Sequence, residues 1–291
     1  MKRLLVCLSA VALFASCKEK DILINGSGSV ISTNDTTYVG SVETAQPKKI
    51  LIEEFTGAAC IGCPAARDLL KAIDNKYPDR LVKIELHPYG NPNGGPVSHL
   101  GKYDFRTQSV TDILNTYFGG ALVGIPVAGI DRLPYSGSRS IDKEYWSGYI
   151  DERIKVASVA NMMLTNSYDA GKGEGNVKVK IAYTKEARTK QFISVAIIEN
   201  NIVDAQKYPS YIDTFYNFKH ILRKLVTPAS GMEILATIPT KEAGRVFIGN
   251  IKYNIDAAWK AENCQLVVFL HNNFGEDKEV LQVDEVDVKT P

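Results

Sequence analysis

Residues 49–66 read KILIEEFTGAACIGCPAA and contain a short apolar run followed by two cysteines. The run at 49–55 has the length and composition of a buried strand. Cys60 and Cys63 follow it, and apolar residues at helical spacing predict an amphipathic helix from about residue 60 to residue 76. The pair therefore lies at the start of a helix, where free N–H groups and the helix dipole stabilise a thiolate.

The surrounding sequence continues this alternation of strands and helices. Further strands are predicted at 81–87 and 126–131, helices at 105–118 and 141–156, and a Pro/Gly-rich loop at 88–101. Strand, helix, strand, helix, strand is an α/β pattern. From about residue 158 the pattern changes to seven strand-like runs in roughly 130 residues, which is typical of an antiparallel β-sandwich of immunoglobulin-like type.

The N-terminus has the pattern of an export signal. Lys2 and Arg3 precede the apolar run LLVCLSAVALFA, which has the length of a signal-peptide core and is short for a membrane span. The run ends in LFASC at residues 13–17, which resembles a bacterial lipobox, although an ordinary secretory signal that contains a cysteine is the alternative. We expect a signal peptide at 1–16 and lipid on Cys17, so that acyl chains hold the protein at the membrane.

Metal binding and a permanent bridge are the alternatives to redox chemistry for the cysteine pair. Structural zinc needs four ligands. Only Cys264 remains beside Cys60, Cys63 and the lipidated Cys17 in the processed chain, and the four histidines are scattered without ligand spacing. The sequence therefore predicts no metal and no cofactor, whereas a structural disulfide stays open.

The segment resembles the thioredoxin-fold superfamily at three places. The first is Cys60-Ile-Gly-Cys63 at a strand-to-helix junction. The second is Glu54, six residues before Cys60, where thioredoxins often carry a buried acid. The third is Gly-Ile125-Pro126-Val, which looks like the family's cis-proline loop before the third strand.

This resemblance implies roles for the residues that match. Cys60 would attack a substrate disulfide, Cys63 would resolve the mixed disulfide, and Glu54 would assist proton transfer. Ile125 and Pro126 would bind the substrate. Glu53 competes with Glu54, since side chains alternate faces along a strand and only one is expected to point inward. The central Ile-Gly dipeptide differs from the usual ones, so the direction of exchange stays open.

A second resemblance covers nearly the whole chain. The lipobox, the run EEFTG at 53–57 leading into Cys-x-x-Cys-Pro-Ala-Ala, and FKHILR at 218–223 are similar to the Bacteroidetes outer-membrane lipoproteins called "Omp twenty-eight-related". That family implies a thioredoxin-like domain followed by an immunoglobulin-like domain at the outer membrane. It implies no settled activity.

The expected fold class is an α/β thioredoxin-like domain followed by an all-β immunoglobulin-like sandwich. The expected organisation is a lipoprotein signal peptide at 1–16, a lipidated flexible tether at 17–46, the thioredoxin-like domain at 47–157 and the sandwich at 158–291. The tether is inferred from its content of Ser, Thr, Gly and Asn.

Two functions remain open from the sequence. The first is a membrane-anchored thiol–disulfide oxidoreductase that acts on exported protein substrates. The second is a non-enzymatic outer-membrane or surface binding lipoprotein, with a surface ligand and a structural Cys60–Cys63 disulfide. Both place the protein in the cell envelope, with the membrane face open. The 34 Lys and Arg residues balance 33 Asp and Glu residues, which argues against nucleic-acid binding.

Overall fold

The computed structural model describes residues 35–289 of the chain. The expected signal peptide at 1–16, the expected lipid site Cys17 and the first part of the expected tether lie outside the described residues. Within residues 35–289, no helix combines the length and apolar character that crossing a membrane requires.

The described residues form fifteen strands, three α-helices and three short 3-10 helices. The strands are β1 Thr36–Val39, β2 Ile50–Phe55, β3 Leu81–Leu86, β4 Val127–Ile130, β5 Ile141–Asp142, β6 Ala160–Asp169, β7 Glu174–Tyr183, β8 Gln191–Glu199, β9 Ile202–Lys207, β10 Ile212–Phe218, β11 Ile221–Leu225, β12 Met232–Ile234, β13 Arg245–Asn254, β14 Cys264–Asn272 and β15 Val280–Asp287. The α-helices are α1 Cys63–Lys76, α2 Gln108–Tyr117 and α3 Trp146–Arg153, and the 3-10 helices are Pro92–Gly94, Lys143–Tyr145 and Ala261–Asn263.

A nine-stranded sheet, referred to below as the central sheet, contains strands from both halves of the chain. Its order is β15-β14-β8-β11-β3-β2-β4-β5, and β12 also pairs with β8. β2 and β3 run parallel, whereas β4 is antiparallel to β2. β11 lies between the two halves, because it pairs in parallel with β3 and antiparallel with β8.

The expected fold class is wrong, because the structure shows no clear α/β thioredoxin-like domain. Strands account for 42% of the described residues and helices for 16%. The physical reason lies at the edge of β3, which β11 from the second half occupies. The N–H of Glu85 donates to the carbonyl oxygen of His220 at 2.8 Å, and the apolar Ile221 and Leu222 are buried there. The β-rich second half is consistent with the expected sandwich, but its strands extend the sheet of the first half.

Layers cover both faces of the central sheet. On one face, α2 packs through Val110, Ile113 and Leu114 on side chains that come from β2, β3, β8, β11, β14 and β15. On the other face, α1 and α3 cover β2 and β4. Further along that face, a four-stranded antiparallel sheet with the order β1-β13-β7-β6 packs on β8 and β14. Because both faces are covered, all six residues of β2 are buried.

A buried ion-pair network at Asp131 joins two distant parts of the central sheet. Asp131 follows β4, and its Oδ2 lies 3.1 Å from Lys48 Nζ and 3.0 Å from Arg153 Nε. Its other carboxylate oxygen accepts the N–H of Leu51 at 3.0 Å. The N–H of Val280, at the start of β15, donates to the carbonyl oxygen of Asp131 at 2.9 Å. Asp131 therefore holds the beginning of β15 against the end of β4.

We predict that Asp131→Asn destabilises the fold by about 3–5 kcal/mol, because two buried cations lose their shared partner. Urea unfolding of the variant and the wild type measures this difference. Glu152→Gln removes the partner of Lys155 in an exposed ion pair and serves as the control, with little change expected. Equal stabilities of Asp131→Asn and Glu152→Gln would contradict the structural role of Asp131.

Candidate functional site

Cys60 and Cys63 form a disulfide where the turn after β2 leads into α1, with their Cα atoms 5.5 Å apart. α1 begins at Cys63, three residues later than the sequence predicts, with Gly62 as its N-cap and Pro64 in its first turn. No side chain caps the start of this helix. Its free N–H groups and its dipole therefore act on the cysteine pair and favour a thiolate when the bond opens.

The residues around the disulfide limit access to its sulfur atoms. Cys60 is 2% exposed and Cys63 is 0% exposed, whereas Ile61 between them is 52% exposed. The loop at 88–101 folds against this turn. A Cβ atom on Gly57 would lie 2.0 Å from the Asn93 carbonyl oxygen, so only glycine fits at this position.

Ile125 and Pro126 lie directly against the cysteine pair. The carbonyl oxygen of Ile125 is 3.8 Å from Cys60 Sγ, and the Ile125–Pro126 peptide bond is cis. A Cβ atom on Gly62 would be 3.5 Å from Pro126 Cδ. The structure therefore brings together four of the residues that the sequence singles out.

The hairpin of β9 and β10 packs against the same turn, and it was not predicted from the sequence. The buried Gln206 donates from Nε2 to the carbonyl oxygen of Cys60 at 3.1 Å. The N–H of Lys207 donates to the carbonyl oxygen of Ala58 at 2.9 Å. The signal that could have revealed this hairpin is the Pro-Ser turn at 209–210 between two runs of strand length.

Glu54 lies on the α1 face of β2. Ile50 and Ile52 pack with Ala66 and Leu70 of α1. Side chains alternate along a strand, so Glu54 points the same way as these two isoleucines. It is buried beneath the helix that begins with Cys63.

Glu53 points to the opposite face, where it is also buried. Its carboxylate forms a bidentate ion pair with Arg132, at 2.6 Å to Nη2 and 2.8 Å to Nε. Both glutamates are inside because both faces of β2 are covered, so the expectation that only one points inward is not met. They differ in that Glu53 forms an ion pair with Arg132, whereas no ion pair is formed by Glu54 among the described residues.

Glu54 lies beside a second buried carboxyl group. Glu85 pairs with it in register on β3. Arg67 of α1 donates from Nε to Glu85 Oε1 at 2.9 Å and from Nη2 to Thr56 Oγ1 at 3.1 Å. Burial, together with repulsion from Glu85, raises the pKa of Glu54 to about 8. Burial opposes ionisation of Glu85 as well, but Arg67 holds its pKa below the ordinary value.

Metal binding receives no support from the geometry. Within the part of the chain that the structure describes, no group of three or more His, Cys, Asp or Glu side chains is arranged to hold a metal ion. Cys264 lies apart from the pair, buried in the core between the four-stranded sheet and the central sheet.

The chain belongs to the family described as outer membrane protein Omp28, whose model matches residues 112–291. The Omp28 part of the resemblance seen in the sequence is thereby confirmed, whereas the lipoprotein status and the two expected domains are not shown. Membership supports a location in the cell envelope at the outer membrane. No curated protein matches the chain in sequence.

Two solved structures share the fold. HBP35 of Porphyromonas gingivalis is similar with a TM-score of 0.62 and 14% identity, over 84% of this chain and 77% of that one. Protein AGR_C_4864 from Agrobacterium tumefaciens is similar with a TM-score of 0.51 and 14% identity, over 85% of this chain and 98% of that one. At these identities the likeness concerns the fold.

We predict that Glu54 makes the stability of the oxidised protein fall as the pH rises. The carboxyl ionises near pH 4.5 in the unfolded chain and near pH 8 in the folded one. Between these values the folded state holds one more proton, so the free energy of unfolding decreases with pH across this window. Glu54→Gln cannot titrate. The wild-type value minus the variant value should therefore decline between about pH 4.5 and 8 and be constant outside this window.

Urea unfolding at a series of pH values measures this difference. Glu144→Gln at an exposed glutamate is the control for the general effect of losing a carboxyl group. A difference between wild type and Glu54→Gln that stays constant from pH 4.5 to 8 would show that Glu54 is ionised in the folded protein throughout this range.

Proposed function

We propose that this chain is a lipid-anchored outer-membrane protein whose Cys60–Cys63 pair exchanges disulfides with exported proteins. Membership of the Omp28 outer membrane protein family supports the location. The lipobox-like run that ends at Cys17 supports the acyl anchor. An envelope outside the cytoplasm is an oxidising compartment in which thiol–disulfide chemistry takes place.

The observation that carries the chemical part is the position of the Glu54 carboxyl group, buried beneath the helix that begins with Cys63. Cys63 and Arg67 are four residues apart in α1 and therefore share one face of the helix. Arg67 reaches Glu85 and Thr56 beside Glu54, so this face of the helix lies over the carboxyl groups of Glu54 and Glu85. With its pKa near 8, Glu54 carries a proton at neutral pH and can pass it to a nearby thiolate.

Disulfide exchange starts from the oxidised Cys60–Cys63 pair. A substrate thiolate attacks Cys60 Sγ, a substrate–Cys60 disulfide forms, and the Cys60–Cys63 bond breaks. Cys63 leaves as a thiolate and takes the proton of Glu54. The second thiol of the substrate then gives its proton to the Glu54 carboxylate and attacks the substrate sulfur of the mixed disulfide, which releases Cys60 as a thiolate. Two electrons and one proton pass from the substrate to the cysteine pair, the negative charge moves from the first substrate sulfur to Cys60, and the reverse sequence reduces a substrate disulfide.

Substrate binding would use the exposed rim of the turn. Ile61 presents an apolar side chain beside Cys60. Ile125 and Pro126 lie next to Cys60 and Gly62, and the Ile125 carbonyl oxygen is 3.8 Å from Cys60 Sγ. An extended polypeptide that brings its own sulfur to Cys60 would lie across these residues.

A second function is favoured by one specific observation, the burial of both cysteines. A sulfur atom must be reached before it can be attacked, and Cys60 is nearly as buried as Cys63. A permanent bridge would then hold the turn between β2 and α1 in a non-enzymatic envelope protein. Its ligand would bind elsewhere on the surface.

We predict that Cys63→Ser traps mixed disulfides between Cys60 and client proteins, because the resolving thiol is missing. The variants are expressed in a bacterial envelope, quenched with acid, alkylated and separated without reductant. Cys63→Ser should give several times more client adducts than wild type, and Cys60→Ser should give none.

Cys264→Ser is the matched control, since Cys264 is buried in another core and should leave the adduct pattern of wild type unchanged. Equal and negligible adduct levels in Cys63→Ser and Cys60→Ser would reject the exchange function and favour the structural bridge.

A further inference from the structure

Three buried polar atoms lie together beneath α1 without a hydrogen-bond partner among the described residues. They are Glu54 Oε1, Glu85 Oε2 and His87 Nε2. Buried polar atoms are nearly always paired, so a cluster of three calls for an explanation. The Cys60–Cys63 exchange as proposed uses only Glu54 and leaves Glu85 and His87 without a role.

The backbone places the two carboxyl groups side by side. Glu54 and Glu85 are direct partners on the parallel strands β2 and β3, which puts their backbones about 4.8 Å apart. Partners in register point to the same face of a sheet, and here this is the face that α1 covers. Two ionised carboxylates on such neighbouring positions of a buried site repel each other strongly.

Arg67 is the cation next to these two carboxyl groups, and it lies at hydrogen-bond distance from Glu85. Arg67 Nε lies 2.9 Å from Glu85 Oε1, and its Nη1 donates to Gln206 Oε1 at 2.8 Å. His87 adds no charge, because burial lowers its pKa. Its Nδ1 lies 3.1 Å from the Gly94 carbonyl oxygen, which fixes the proton there, and its Nε2 lone pair faces Glu85 Oε2 at 3.9 Å.

The other titratable and charged groups around the cluster do not supply a second ion-pair partner among the described residues. Lys83 of β3 forms its ion pair with Asp74 of α1 and acts on Glu54 only beyond ion-pair distance. Burial lowers the pKa of His220, before β11, to about 4, and burial raises the pKa of Tyr216 of β10 to about 12, so both are neutral at pH 7. Arg67 alone therefore compensates one of two carboxylates.

We infer that Glu54 and Glu85 form a single buried proton site. In this site Glu85 is ionised and paired with Arg67, and Glu54 keeps one exchangeable proton. Glu85 is thus a positioning residue, since it acts on the chemistry through Glu54. The use of this proton in disulfide exchange rests on the proposed function, because it is the proton that the Cys63 thiolate would take. The proton site itself exists whether or not exchange occurs.

Carbon-13 NMR of the glutamate side-chain carboxyls in the full-length oxidised chain tests the inference. Glu54→Gln identifies the Glu54 signal, which in wild type should titrate near pH 8. Glu85→Gln frees Arg67 for Glu54 and removes the repulsion, so the Glu54 midpoint should fall by about 1–3 pH units. Glu285→Gln is the matched control, because Glu285 is a half-buried residue whose Oε2 is also buried without a hydrogen-bond partner, and it should leave the Glu54 midpoint in place.

The outcomes separate this inference from the proposed function. A wild-type Glu54 that titrates near its ordinary value, or a midpoint that Glu85→Gln does not lower, overturns the proton site. If Glu85→Gln does not fold, the titration of the wild type, with the Glu54 signal assigned by Glu54→Gln, still shows whether Glu54 keeps its proton to about pH 8. The expected titration in a protein that forms no mixed disulfides would support the proton site and reject the exchange function.

Discussion

The contact between β3 and β11 is the constraint on which the rest of the fold depends. It completes the hydrogen bonding of β3 with a strand from the second half and so makes one central sheet from two halves of the chain. The N–H of Glu85 donates to the carbonyl oxygen of His220 at this contact. Because β9 and β10 directly precede β11, the contact also carries their hairpin to the turn that holds Cys60.

The same contact explains why ionisable groups are buried beside the cysteine pair. Glu85 would lie on an open strand edge if β11 were absent, with water available to its carboxylate. With β11 in place, Glu85 depends on Arg67 for a partner, and Arg67 in turn reaches Gln206 of the hairpin. Packing between the two halves thereby leaves Glu54 as the carboxyl without a cation, directly below α1.

The sequence allowed prediction of the elements near the cysteines, because local patterns determine them. The apolar run before Cys60 predicted β2, and apolar residues at helical spacing predicted α1. The fold class could not be predicted, because pairing of β11 with β3 joins residues about 135 positions apart and leaves no periodic signal. The role of Arg67 could not be predicted either, because a charged residue on an amphipathic helix is ordinarily exposed.

The equilibrium redox potential of the Cys60–Cys63 pair tests the exchange function most directly. The purified chain is equilibrated in glutathione buffers of set potential, quenched and alkylated, and the oxidised fraction is read by mass. A disulfide-exchange protein should show a midpoint between about −120 and −270 mV. A midpoint below about −300 mV, with slow alkylation of Cys60 after reduction, would identify a structural bridge and contradict the exchange function.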